Sequence, residues 1–146
     1  MLRRGIGDLL FFSSMRNYFE IYKYENASTD DFISVVEKTS GKQLDKFFDQ
    51  WVYSGEGIIE VKYDWRKKRI GQGKILNTLM LEQTQDEYDE YHFKLDIKLS
   101  NDEQFEIKTF EIDSKKKIIE FETENIYYDI LFDPNVWLLG QFFKKD

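Results

Sequence analysis

The stretch Ser40–Gly55, SGKQLDKFFDQWVYSG, divides the chain into two kinds of sequence. Within it Leu44, Phe47, Phe48 and Trp51 fall at i, i+3, i+4 and i+7, which places four side chains on one face of a helix. The spacing predicts a short helix from Gln43 to Val52. Upstream of it, apolar residues recur with a helical period; downstream, every periodic segment alternates like a strand. The predicted helix is therefore a joint between a helical part and a β part, with Gly55 and Gly57 ending the first. Burying Phe47, Phe48 and Trp51 there is worth about 1.5–3 kcal/mol each, so the stripe reads as core packing.

Working upstream, the stretch before the joint reads as a helix with Phe32, Val35 and Val36 inward and Gly41 as its stop. Ser28 or Thr29 is its cap, and Asp30 and Asp31 occupy the first turn, where the helix dipole favours acids. The segment YKYENAS, Tyr22–Ser28, separates it from an earlier helix whose candidate N-cap is Asp8. In that first helix Phe11, Met15, Tyr18 or Phe19, and Tyr22 recur at helical spacing. Leu9 and Phe12 widen the apolar face beyond what one neighbour would cover.

Downstream, Ile59, Val61, Tyr63 and Trp65 alternate with polar residues, as a half-buried strand does. Leu76–Gln83 forms a second strand, more apolar on both sides. Tyr91, Phe93, Leu95, Ile97 and Leu99 alternate against His92, Lys94, Asp96 and Lys98. After the Ser100–Asp102 turn, Phe105 and Ile107 are out of phase with Phe110 and Ile112, which predicts a bulge or break near Thr109. Ile119, Phe121 and Thr123 follow, and Ile126–Phe132 reads as the last strand, closed by Asp133-Pro134-Asn135. The basic runs Arg66–Arg69 and Lys115–Lys117 fall where turns between strands are expected. The pattern predicts an α+β chain: short helices over residues 1–55, then an antiparallel β-sandwich of six or seven strands over 56–146.

Composition narrows the function. The chain has 146 residues, 41% hydrophobic and 34% charged, with a net charge of −7 that argues against nucleic-acid and anionic-membrane partners. No apolar run approaches the ~20 residues needed to span a bilayer. Arg3 and Arg4 before Leu9–Phe12 imitate a signal peptide, but Asp8 interrupts the apolar run and no small-residue cleavage site follows. Cysteine is absent, which removes disulfides, thiolate metal sites and a cysteine nucleophile. The single histidine, His92, lies on the polar side of a strand and cannot form a two-histidine metal site. The acids Asp86, Glu87, Asp89 and Glu90 lack the spacing of a calcium loop and read as a solvated loop. Nothing resembles a phosphate loop or a nucleophile elbow. The candidate catalytic, cofactor and metal residues are therefore none.

Several blocks, in order, resemble the gluzincin zinc aminopeptidases, the aminopeptidase N and leukotriene-hydrolase group. Met1-Leu2-Arg3, Ile6-Gly7-Asp8, Phe12 and Met15-Arg16-Asn17-Tyr18 look like the helix pair that follows that family's catalytic centre. Asn26-Ala27-Ser28-Thr29, Asp31-Phe32, Ser40-Gly41 and Phe47-Phe48-Asp49-Gln50-Trp51 are similar to the end of its peptidase domain. Leu131-Phe132-Asp133-Pro134-Asn135 with Leu138-Leu139 resembles the last strand of the β-sandwich domain that follows.

The resemblance implies a C-terminal region of such a protein, without the zinc-binding His-Glu-x-x-His helix, the third ligand, the substrate loop or the transition-state tyrosine. No zinc is then expected in this chain, and no peptidase activity. The implied role is to brace an upstream catalytic domain. An independent β-sandwich module that binds a protein or glycan is the competing class, and a free-standing enzyme the third. With the family's neighbouring helices absent, Leu9, Phe11, Phe12, Met15, Phe19 and Ile21 cannot all face two short helices. Self-association through the first helix is expected.

Overall fold

A computed structural model describes residues 1–55, 58–86, 88 and 90–145. Gly57, expected to end the helical part, lies outside the described residues. The chain forms two compact units, Met1–Ser54 and Gly55–Asp146.

In the first unit, helix α1 (Leu2–Ile6) leads directly into α2 (Asp8–Tyr22). The reversal between them falls on Gly7, at φ 89°, a backbone conformation that suits glycine. Gly7 is therefore the N-cap, and Asp8, expected there, is the first helical residue. The Asp8 carboxylate instead accepts two hydrogen bonds from Arg3, each 2.8 Å. Helix α3 (Thr29–Ser40) starts and stops as its sequence predicts. Ser28 and Asp31 form a reciprocal capping box, and Gly41 closes the helix in the left-handed region, donating to the Glu37 carbonyl at 2.8 Å.

The capping box has a consequence for acid stability. The Ser28 backbone N–H holds the Asp31 carboxyl below its ordinary range, helped by the Ser28 hydroxyl and by Tyr22. A depressed folded value means that this contribution is complete above the ordinary carboxylate range and is lost as pH falls through the depressed value. Helicity followed by circular dichroism is therefore expected to fall in the acid range, and Asp31→Asn to flatten that part of the profile. An unchanged profile would mean that the box does not control the helix start.

The third predicted helix begins as expected and then changes type. Helix α4 covers Asp45–Phe48, and Asp49–Tyr53 continues as a π-helical turn, with the Ser54 N–H reaching the Asp49 carbonyl at 2.8 Å. The wider turn takes Trp51 out of line with Leu44 and Phe48. Those two are buried, Trp51 is half-buried, and Gln50 takes an interior place. The core of this unit is Ile6, Val36, Leu44 and Phe48, flanked by Leu10, Phe11, Met15, Phe32, Ile33 and Phe47. Rings meet edge-on along it, Tyr18 with Phe32, Phe32 with Phe48 and Phe48 with Phe47, at centroid distances of 5.2–6.2 Å.

The second unit is a seven-stranded, two-sheet structure. Strands β1 (Ile59–Arg69), β2 (Ile75–Gln83), β5 (Lys116–Thr123) and β7 (Gly140–Lys144) form one sheet in the order β5-β2-β1-β7. Strands β3 (Phe93–Ser100), β4 (Phe105–Ile112) and β6 (Asp129–Phe132) form the other, in the order β4-β3-β6. Rings of the two sheets meet at Tyr63–Phe132, 4.5 Å apart, and at Phe110–Phe121, 5.3 Å apart.

Four features depart from the sequence pattern. Strand β7 follows what reads as the last strand, and it runs parallel to β1, so one pair breaks the antiparallel rule. The Asp133 carboxylate makes this return possible by accepting the Trp137 and Leu138 amides at 3.0 and 2.7 Å. At Gly140 a Cβ would lie 3.1 Å from Ile59, so a side chain there would press the two strands apart by a few tenths of an ångström. Second, no bulge occurs at Thr109: β3 and β4 pair without interruption from Phe93–Ile112 to Ser100–Phe105. The phase slip is met by leaving Phe105 and Ile107 exposed on the outer face, where the Lys98 amine sits 4.4 Å from the Phe105 ring centre. Third, β2 turns Asn77 and Gln83 into the core. Asn77 binds Thr123 and the Trp65 indole, so both of its ends are satisfied. Fourth, the basic runs lie in strands more than in turns, with Lys115 alone in the bend before β5. Arg66–Arg69 lie within β1, and Lys116 and Lys117 open β5.

Candidate functional site

Among the described residues, those that could carry chemistry do not converge. The His92 ring lies 3.0 Å from Glu90, and the other Glu90 oxygen accepts the Lys115 amide at 3.2 Å. Of the acidic loop, Asp86 is exposed, while Glu87 and Asp89 lie outside the described residues. Among the described residues no three His, Cys, Asp or Glu side chains are grouped to hold a metal ion. With one histidine and no cysteine, the donors present do not fit the zinc of the family named above.

A loop-borne ligand site would fall at one end of the β unit, where a cavity of about 440 Å³ is lined by Asn101, Gln104, Glu124, Asn125 and Tyr128 among others. One amide of its lining is already used. Asn101 donates to the Ile126 carbonyl at 2.9 Å and accepts the Glu103 and Gln104 amides at 3.0 and 2.9 Å. That arrangement builds a turn and offers little to a sugar.

Helix α2 offers a different kind of surface. Phe11 and Met15 pack against the core of the helical unit, as their spacing requires. Leu9, Phe12, Phe19 and Ile21 remain 86%, 45%, 62% and 56% exposed. Leu9, Phe12 and Phe19 follow each other at i, i+3 and i+10, so they line one side of the helix. A run of large apolar side chains left to solvent marks an interaction surface more than a stable free face. On the helix's other flank Ile21 joins Asn17, Glu20, Val35, Lys38 and Thr39 around a shallow groove between α2 and α3. The sequence made this surface visible through an apolar face too wide for its neighbours. It gave no sign of the buried Gln50, because the π turn that moves it inward leaves no local signature.

This surface lies within a stretch of known type. Residues 1–51 match the Peptidase family M1 domain. The chain is similar to aminopeptidases, in sequence over this first part and in fold beyond it. A 52-residue segment is 36% identical to aminopeptidase N of Lactococcus lactis subsp. lactis, covering 36% of this chain and 6% of that protein. The fold as a whole resembles a crystal structure of Legionella pneumophila aminopeptidase A in complex with aspartic acid. That likeness has a TM-score of 0.69 and 17% identity, over 97% of this chain and 16% of the other. The chain thus spans a small fraction of the length of either relative.

Proposed function

We propose that this chain is a non-catalytic part of a zinc aminopeptidase-like protein and braces that protein's catalytic domain. The observation that carries the reading is the exposed row Leu9, Phe12 and Phe19, placed inside the segment that matches the M1 domain. In the parent, the upstream catalytic domain covers this row. Zinc and turnover belong to that upstream part, whose ligands this chain does not supply. On its own the chain is expected to hold no stoichiometric zinc after dialysis and to release nothing from aminoacyl reporter substrates. Zinc near one per chain together with turnover would overturn the assignment.

The same reading governs association. Without its cover, the α2 row is expected to drive self-association, seen by light scattering as a mass that rises with concentration. Phe12→Glu combined with Phe19→Glu is expected to give a monomer, because two charges in the row oppose its burial. A wild type that stays monomeric at high concentration would remove the bracing surface from consideration.

A further inference from the structure

The outer face of the four-stranded sheet carries its charges in rows. Cross-strand pairing sets Lys116, Glu82 and Lys62 side by side, and Ile118, Met80 and Asp64 in the next row. Together with Arg66 and Lys145 these residues line a groove of about 580 Å³. The two carboxylates in it are already engaged, Asp64 with Arg66 at 2.7 Å and Glu82 with Lys116 at 2.8 Å. Lys145 reaches only 4.0 Å from that same Glu82, and Lys62 forms no ion pair among the described residues. The Glu82 carboxyl is held below its ordinary range, first by its hydrogen bond from Lys116, with Lys145 and Lys62 adding to the field. A chain of net charge −7 thus keeps a local surplus of positive charge around an apolar floor in which Ile118 is 66% exposed.

We propose that this groove binds an extended acidic protein segment, its carboxylates meeting Lys62 and Lys145 and its apolar side chains covering Ile118 and Met80. An extended peptide alternates its side chains with a period of two, so it can present acids to the cationic row and apolar groups to the next. A nucleic acid fits less well. Its phosphates would meet Asp64 and Glu82 inside the groove, and the net charge of the chain opposes a long polyanion. The surplus is small, so affinity should depend steeply on salt. This inference does not rest on the bracing role, and either can fail without the other.

The test is fluorescence anisotropy of the whole chain with a labelled peptide of alternating glutamate and leucine. Saturable binding is expected. It should weaken about tenfold or more in Lys62→Glu/Lys145→Glu, and similarly as salt rises from about 50 mM to about 500 mM. Lys94→Glu/Lys98→Glu, which makes the same charge change on the other sheet, should leave it unaltered. The glutamine version of the peptide should not bind. Lys62→Gln/Lys145→Gln repeats the measurement with a smaller charge change, should the glutamate pair unfold. Three results would overturn the proposal: no binding of the glutamate peptide, binding indifferent to Lys62 and Lys145, or tighter binding of oligodeoxythymidine of matched charge.

Discussion

Phe48→Ala is expected to destabilise the helical unit by about 3–5 kcal/mol, the range for removing a buried large aromatic. Phe48 is only 4% exposed and sits among Ile6, Val36 and Leu44, with Phe32 and Phe47 edge-on to its ring. A unit of this size has a small core, whose whole stability is on the order of 3–5 kcal/mol. The substitution should therefore leave the unit largely unfolded at room temperature, seen as loss of helical circular dichroism and as rapid proteolysis within residues 1–54. Trp51→Ala is the informative comparison. The α-helical spacing puts Trp51 on the same face as Phe48, and that spacing alone predicts an equal loss. The π turn leaves Trp51 half-buried, resting on Phe47 at 6.5 Å, so its loss should be clearly smaller. Equal effects from the two substitutions would mean that the α-helical stripe continues through Trp51.

This comparison locates the limit of what the sequence discloses in the helical unit. Helix α3 is legible because its start and stop are chemical events within a few residues: the Ser28 hydroxyl, the Asp31 carboxylate, the left-handed Gly41. The π turn has no such marker. Its i→i+5 bonds come from packing, and the residues Asp49–Tyr53 would fit an α-helix equally well. Gly7 shows a milder form of the same difficulty. Asp8 has the chemistry of a cap, but α1 already occupies the residues before it, so the chain needs a glycine at the reversal and sends the carboxylate to Arg3.

In the β unit the alternation of β1, β3 and β5 is plain because burial on one face dictates it. Strand β7 is not, since its partner β1 lies far back in the chain and its five residues carry little pattern of their own. The face of β4 is ambiguous for a physical reason. Either phase would expose some apolar residues, and continuous pairing with β3 outweighs sheltering Phe105 and Ile107. The surfaces divide in the same way. The α2 row can be read along one helix. The groove around Lys62 and Lys145 exists only once three strands and the residue after β7 are laid side by side.

The interior polar residues of β2 are the least legible of all, and they carry the second large expected effect. Gln83 is 1% exposed. Its amide nitrogen donates to the Tyr91 carbonyl at 2.8 Å and the Ser114 carbonyl at 3.2 Å. Its oxygen accepts the Tyr91 amide at 2.8 Å and the Gln85 side chain at 3.0 Å. One side chain thus fastens the end of β2 to the start of β3 and to the turn before β5. Gln83→Leu keeps the volume but withdraws this donor and acceptor from buried groups, each of which costs about 1–3 kcal/mol when left unmet. A loss of about 3 kcal/mol or more is expected in chemical denaturation, with faster hydrogen exchange at the Tyr91 amide than at the amides of the β1–β2 ladder. Gln83→Glu separates bonding from shape, because it keeps the acceptor for Tyr91 but places a carboxyl in the interior. It should be tolerated better at low pH, where the carboxyl is neutral and can donate, than at neutral pH, where burial opposes its charge. A Gln83→Leu variant as stable as the wild type, with Tyr91 exchange unchanged, would mean that packing alone holds this corner of the sheet together.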